Sequence, residues 1–178
     1  MHRLKIWTAL CTGAIFLLLL ASQAHALFGG KFEDEVETEK TAVGLHRETV
    51  RGCYKLVRGD TLKRWMDAGK DMVIVDTMPY EASYREAHVP GARQFLFPKA
   101  EMTSWDTEET AGKSKADYRR LLGGDTGKTV VVYCGFVKCG RSHNGAMWAV
   151  KLGYDKVYRF PGGIFAWKGY EFPVEQAE

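Results

Sequence analysis

The sequence predicts an α/β domain with a mainly parallel central sheet flanked by helices. Two short runs, Met72-Val-Ile-Val75 and Thr129-Val-Val-Val-Tyr133, are almost wholly apolar, as expected of strands covered on both faces. Segments with helical spacing alternate with such runs along the chain, which is the pattern of a parallel sheet built from crossover units. The 178 residues are 46% hydrophobic and 26% charged, so one domain can bury a core and global disorder is excluded.

Each element has its own signal. Tyr54–Val57 reads as a first short strand. Asp60 is placed to cap a helix over Thr61–Ala68 that Gly69 ends. Met72–Val75 carries Asp76 at its carboxyl end. Tyr80–Glu86 suits a short helix, His88-Val-Pro-Gly-Ala92 carries turn residues, and Arg93–Phe97 reads as a strand. In the polar stretch 99–122 the best helix is Ala116–Leu122; Gly123, Gly124 and Gly127 break the chain after it. Thr129–Tyr133 is the strongest strand. Ser142–Leu152 sets Ala146, Ala149, Val150 and Leu152 at helical spacing, closed by Gly153, and Lys156–Phe160 is the last strand before Pro161-Gly162-Gly163. Trp65, Trp148 and Trp167 read as core residues.

Residues 1–26 have the form of a secretory signal peptide. His2, Arg3 and Lys5 precede an uncharged stretch from Ile6 to Ala24, and Ala24-His25-Ala26 fits small-x-small cleavage. The expected location is export to a bacterial periplasm. The alternative is an uncleaved anchor facing the periplasm, since the apolar run approaches the ~20 residues of a spanning helix. Residues 27–53 are polar and read as a tether or loosely packed arm; residues 54–178 form the domain. Loss of Arg3 and Lys5 takes the net charge from +3 to +1, which gives no argument for a nucleic-acid partner. Cys53, Cys134 and Cys139 remain, in a compartment expected to be oxidising, and are too few for a disulfide scaffold.

In a parallel sheet, ligands bind at the carboxyl ends of strands. Cys134 follows the strongest strand directly. The loop Gly135-Phe-Val-Lys-Cys-Gly-Arg141 comes next, with Ser142 as the expected helix N-cap. A loop curled between a strand end and a helix start turns backbone N–H groups inward. A thiol there is expected to have a lowered pKa, and Lys138 and Arg141 reinforce the positive potential. The arrangement suits anionic sulfur compounds, and Phe136 is expected to wall their pocket.

At this point the segment from about 54 to 175 resembles a single rhodanese domain, with its three-layer fold. The resemblance is carried by Val75-Asp-Thr with Tyr84-Arg-Glu-Ala-His-Val-Pro-Gly-Ala92, by Val131-Val-Tyr-Cys134, by Arg141-Ser142 with its helix, and by Val157-Tyr-Arg-Phe-Pro-Gly-Gly-Ile-Phe-Ala-Trp167. It implies a sulfurtransferase. Cys134 attacks a thiosulfate-like or persulfide donor, becomes a persulfide and passes the sulfur to a thiol or other thiophile, including a protein thiol. The implied nucleophile is Cys134, with Arg141 supporting the loop or binding the anion; Cys139 is added to the candidate catalytic residues by a feature of the loop itself. The backbone of Gly135, Phe136, Val137, Lys138, Gly140 and Ser142 binds the donor, and Asp76 and His88 support the site. No metal or organic cofactor is called for by this chemistry.

The loop departs from the family pattern. Six residues separate Cys134 from Arg141 where four are usual, and a second thiol, Cys139, lies within. This leaves a thiol-disulfide or sulfur-relay role for Cys134 and Cys139 as the alternative, and a non-enzymatic binding module as a third reading. A swap with Cys139 as nucleophile is the weaker assignment, because Cys134 alone stands at the strand end. Zinc held by the loop cysteines with Cys53 or His143, and a phosphatase, are weaker still. His143 is expected to be a solvated surface residue.

Overall fold

In a computed structural model of the chain, residues 30–178 are described. The expected signal peptide lies outside the described residues. Among the described residues, no helix is long and apolar enough to cross a membrane. The chain divides after Val43, and residues 44–178 form the compact unit that carries the site.

Where the sequence suggested a loose arm, residues 30–52 are helical (α1). The turns that belong to the compact unit are tied to it, Glu48 to Arg159 and Arg51 to Glu101 at 3.0 Å. Strand β1 (Lys55–Leu56) follows, then α2 (Gly59–Asp67), β2 (Met72–Asp76), a single π-helical turn over Tyr80–Tyr84, β3 (Arg93–Gln94), α3 (Lys115–Leu122), β4 (Thr129–Tyr133), α4 (Arg141–Lys151), β5 (Lys156–Phe160) and α5 (Gly163–Gly169).

The five strands form one sheet in the order β1-β5-β4-β2-β3, and every pairing is parallel. Alternation along the central strands feeds two cores. Val73, Val75, Val130, Val132 and Val157 pack with Tyr118 and Leu122 of α3 and Ala146–Ala149 of α4. Ile74, Val131 and Tyr133 face the other way, onto Leu62 of α2 and Ile164 and Trp167 of α5. The three layers follow from strands that have no polar face. Trp167 is wholly buried, worth roughly 1.5–3 kcal/mol for a side chain of this kind.

Three elements differ from the sequence reading. Strand β3 covers only Arg93–Gln94, because its partner ends at Asp76; Phe95 and Phe97 continue as core residues without a strand to pair with. Helix α5 was hidden by its glycines. Gly163 adopts φ +56°, and a Cβ there would stand 2.0 Å from the Cys134 carbonyl oxygen, so only glycine admits this close approach. Ser142 is not an N-cap. The cap is Gly140, and Ser142 lies inside the first turn of α4, where its hydroxyl serves the loop instead.

Candidate active site

The loop between β4 and α4 is anchored by its carbonyl groups. The Cys134 and Gly135 oxygens accept from Ile164 and Phe165 N–H at the start of α5, at 2.9 and 3.0 Å. The Val137 and Cys139 oxygens accept from Arg159 Nη2 at 3.1 and 3.0 Å. Cys139 N–H closes a tight turn on the Phe136 oxygen at 3.0 Å. With these carbonyls committed to the protein, the N–H groups of Gly135 and Arg141 are free to converge on a single atom, the Cys139 sulfur.

The two cysteines differ in their surroundings. Cys134 is fully buried and is not among the residues lining the cavity beside the loop. Its Sγ lies 3.2 Å from the Cys139 carbonyl oxygen and 3.2 Å from Ser142 Oγ. Burial, followed by the neighbouring Cys139, pushes the Cys134 thiol well above its ordinary value. Cys134 is therefore enclosed in this fold, with no exposed surface. Strand geometry carries its side chain down into the interior before the loop begins to curl.

Cys139 is placed differently. It lines a cavity of about 350 Å³ with Phe136, Lys138, Gly140 and Arg141 from the loop, Lys99, and Met78, Pro79, Ala82 and Ser83 after β2. Its thiol is lowered to about 6, chiefly by the hydrogen bond that Cys134 donates to it. The Arg141 and Gly135 N–H groups and the Arg141 charge act in the same direction, against desolvation. Three of the cavity-lining side chains are cationic and none is a carboxylate.

The remaining residues of the expected site divide. Arg141 lines the cavity and also donates from Nη1 to the Phe97 carbonyl. Phe136 is half exposed and stacks on Phe165 with ring centroids 5.6 Å apart. Gly140 packs against the Lys99 carbonyl, where a Cβ would come within 2.2 Å. Val137 reaches Arg159 and does not line the cavity, and Ser142 is buried beneath the loop. Asp76 accepts from Met78 N–H at 2.8 Å, and burial raises its carboxyl to about 6. His88 stacks on Tyr84 and bonds its carbonyl at 2.9 Å, and its backbone bridges Glu175; it does not line the cavity. His143 is not solvated. It is buried, with Nδ1 3.0 Å from Tyr54 Oη and Nε2 3.7 Å from Glu101. Among the described residues, no three His, Cys, Asp or Glu side chains cluster closely enough to hold a metal ion.

The residue that sequence reasoning missed is Arg159. Its side chain is wholly buried, and it bonds Ser142 Oγ at 2.8 Å through Nε, Tyr54 Oη at 3.2 Å and Glu48. One planar guanidinium thus joins α1, the loop and α4. The available signal was an arginine next to Phe160 near the carboxyl end of a strand, where burial demands several partners.

The sequence profile of the rhodanese-like domain matches residues 59–170. The chain belongs to the rhodanese-like domain family. Its all-parallel five-strand sheet flanked by helices is that of the rhodanese-like fold. Among solved structures, the rhodanese-like chain is similar to a thiosulfate sulfurtransferase from Pseudomonas aeruginosa, at 18% identity and a TM-score of 0.53. That match covers 78% of this chain and 23% of the other. It is similar to a Rhodopseudomonas palustris protein of unknown function, named as a possible tyrosine phosphatase. There the identity is 19% and the TM-score 0.51, over 76% of this chain and 93% of the other. A rhodanese-like domain from Anabaena sp. aligns at 18% identity and a TM-score of 0.50, over 68% and 79%. At these identities the likeness establishes the fold. No curated protein matches the chain.

Proposed function

We propose that this rhodanese-like chain is an exported sulfurtransferase that carries sulfane sulfur on Cys139. The supporting observation is the convergence of the Gly135 and Arg141 N–H groups on the one thiol that lines a cationic cavity. An anionic donor such as thiosulfate is drawn toward Lys99, Lys138 and Arg141. The Cys139 thiolate attacks its outer sulfur, the donor S–S bond breaks, sulfite leaves and a Cys139 persulfide remains. A thiol acceptor then removes the sulfur. Phe136, stacked on Phe165, borders the route to it. Export rests on the basic, then apolar, amino-terminal segment.

The test is to incubate the reduced protein with thiosulfate and determine its intact mass. The reading expects a gain of about 32 Da, one sulfur atom, mapped to Cys139 and abolished in Cys139→Ser. A gain that maps to Cys134, or that survives in Cys139→Ser, refutes it. Amino-terminal sequencing of the periplasmic fraction from a bacterial host tests export, with a start at or near Leu27 expected.

A further inference from the structure

The transfer chemistry leaves the thiol at the strand end unused. Cys134 is sealed from solvent, so no external donor or acceptor reaches it, yet its thiol is in hydrogen-bond contact with the sulfur of Cys139. It is also supplied with groups that would hold it as a thiolate. Ser142 Oγ stands 3.2 Å away, Ser142 N–H points to it, and Ser142 Oγ itself receives Arg159 Nε–H at 2.8 Å. A cysteine that merely fills core space has no need of a cation relayed through a hydroxyl.

We propose that Cys134 is an internal resolving thiol, which attacks the inner sulfur of a Cys139 persulfide, expels hydrogen sulfide and closes a Cys134–Cys139 disulfide. The inference rests on Cys139 as the sulfur carrier. The step balances. Cys134 Sγ–H and Cys139 Sγ–S–H become a Sγ–Sγ bond and H2S; one S–S bond forms and one breaks, and the Cys134 proton leaves with the sulfide. The sulfane sulfur is reduced by two electrons and the two cysteine sulfurs are oxidised. An external dithiol restores both thiols by exchange and becomes a disulfide itself. Over a full cycle, thiosulfate and a dithiol give sulfite, hydrogen sulfide and a disulfide. The leaving hydrosulfide emerges beside Lys99, Lys138 and Arg141, which favour its charge. The extended loop is what makes the step available. It places a second sulfur above the strand-end thiol, so that closure needs rearrangement within the loop rather than between elements.

The experiment uses the full chain, reduced, loaded with thiosulfate and freed of excess donor, with no added thiol. Sulfide release, free-thiol count and intact mass are followed over time. For the wild type, the persulfide is expected to decay with release of about one sulfide per chain and loss of two free thiols, and peptide mapping finds Cys134 linked to Cys139. In Cys134→Ser, the persulfide is expected to persist at least about ten-fold longer and to release sulfide only when dithiothreitol is added. A wild-type persulfide as long-lived as that of the variant overturns the proposal and leaves sulfur transfer intact. Absence of a persulfide on Cys134→Ser, together with neither sulfide nor disulfide from the wild type, removes the transfer reading and this proposal with it. The mapping of the wild-type disulfide decides the matter even if the variant fails to fold.

Discussion

Replacing Arg159 with Met should separate the stability of the fold from the chemistry of the loop. The substitution keeps an unbranched stem and deletes a guanidinium that bonds Ser142, Tyr54, the Val137 and Cys139 carbonyls and Glu48. Breaking a buried ion pair by removing one member costs about 3–5 kcal/mol. The lower end applies, because the Glu48 side chain is 29% exposed and can turn to water, and the Cys139 oxygen keeps its contact with Cys134. A loss of about 3 kcal/mol lowers the melting temperature by about 6–12 °C for a chain of this size. Calorimetry and urea unfolding measure this directly. Reactivity of Cys139 toward iodoacetamide, measured against pH, supplies the second readout. With the Val137 and Cys139 carbonyls released, the loop N–H groups lose their aim and the reactivity midpoint shifts upward in Arg159→Met. Arg159→Lys keeps the charge next to Glu48 but not the planar fork. It should recover most of the stability and little of the low midpoint. An Arg159→Met protein within about 1 kcal/mol of wild type, with Cys139 reactivity unchanged, would refute this assignment of Arg159.

Three further substitutions test the framework around the loop. Gly163→Ala places a Cβ 2.0 Å from the Cys134 carbonyl oxygen at φ +56°, and should destabilise by at least about 2 kcal/mol in urea unfolding. Gly153→Ala, at φ +95° in open space, meets no atom and is the control with the smaller loss. Asp76→Asn should show a pH-dependent gain. The folded-state carboxyl is raised from 3.8 to about 6, so its contribution to stability is complete below the unfolded value and lost as pH rises through about 6. The variant should therefore match wild type near pH 3 and exceed it by up to about 3 kcal/mol near pH 8. Equal differences at the two pH values would show that burial of the charge is not the cause.

The sheet was legible because its strands carry unambiguous patterns. Thr129–Tyr133 and Lys156–Phe160 are found with their expected bounds, and the apolar runs of β2 and β4 reveal two covered faces without any knowledge of what covers them. The loop was legible as a place, since a cysteine between a strand and a glycine-rich turn marks the carboxyl edge of the sheet. The different surroundings of its two thiols were not. Which thiol receives the N–H groups depends on where the loop carbonyls go, and that is decided by Arg159 and α5, remote in sequence from Cys134. Helix α5 escaped notice because Gly162 and Gly163 read as a break, although contact with the loop backbone is what requires Gly163. His143 was misread for a similar reason. A histidine in the first turn of a helix is ordinarily solvated, and only Tyr54 and Glu101, distant in sequence, reveal that it is enclosed.

The most direct test of the central claim is competitive alkylation of the reduced wild-type chain across pH 5–9, with each cysteine quantified by peptide mass. The account predicts that Cys139 is modified with a midpoint near pH 6, while Cys134 stays unmodified until the protein unfolds. Modification of Cys134 ahead of Cys139 in the folded protein would contradict it.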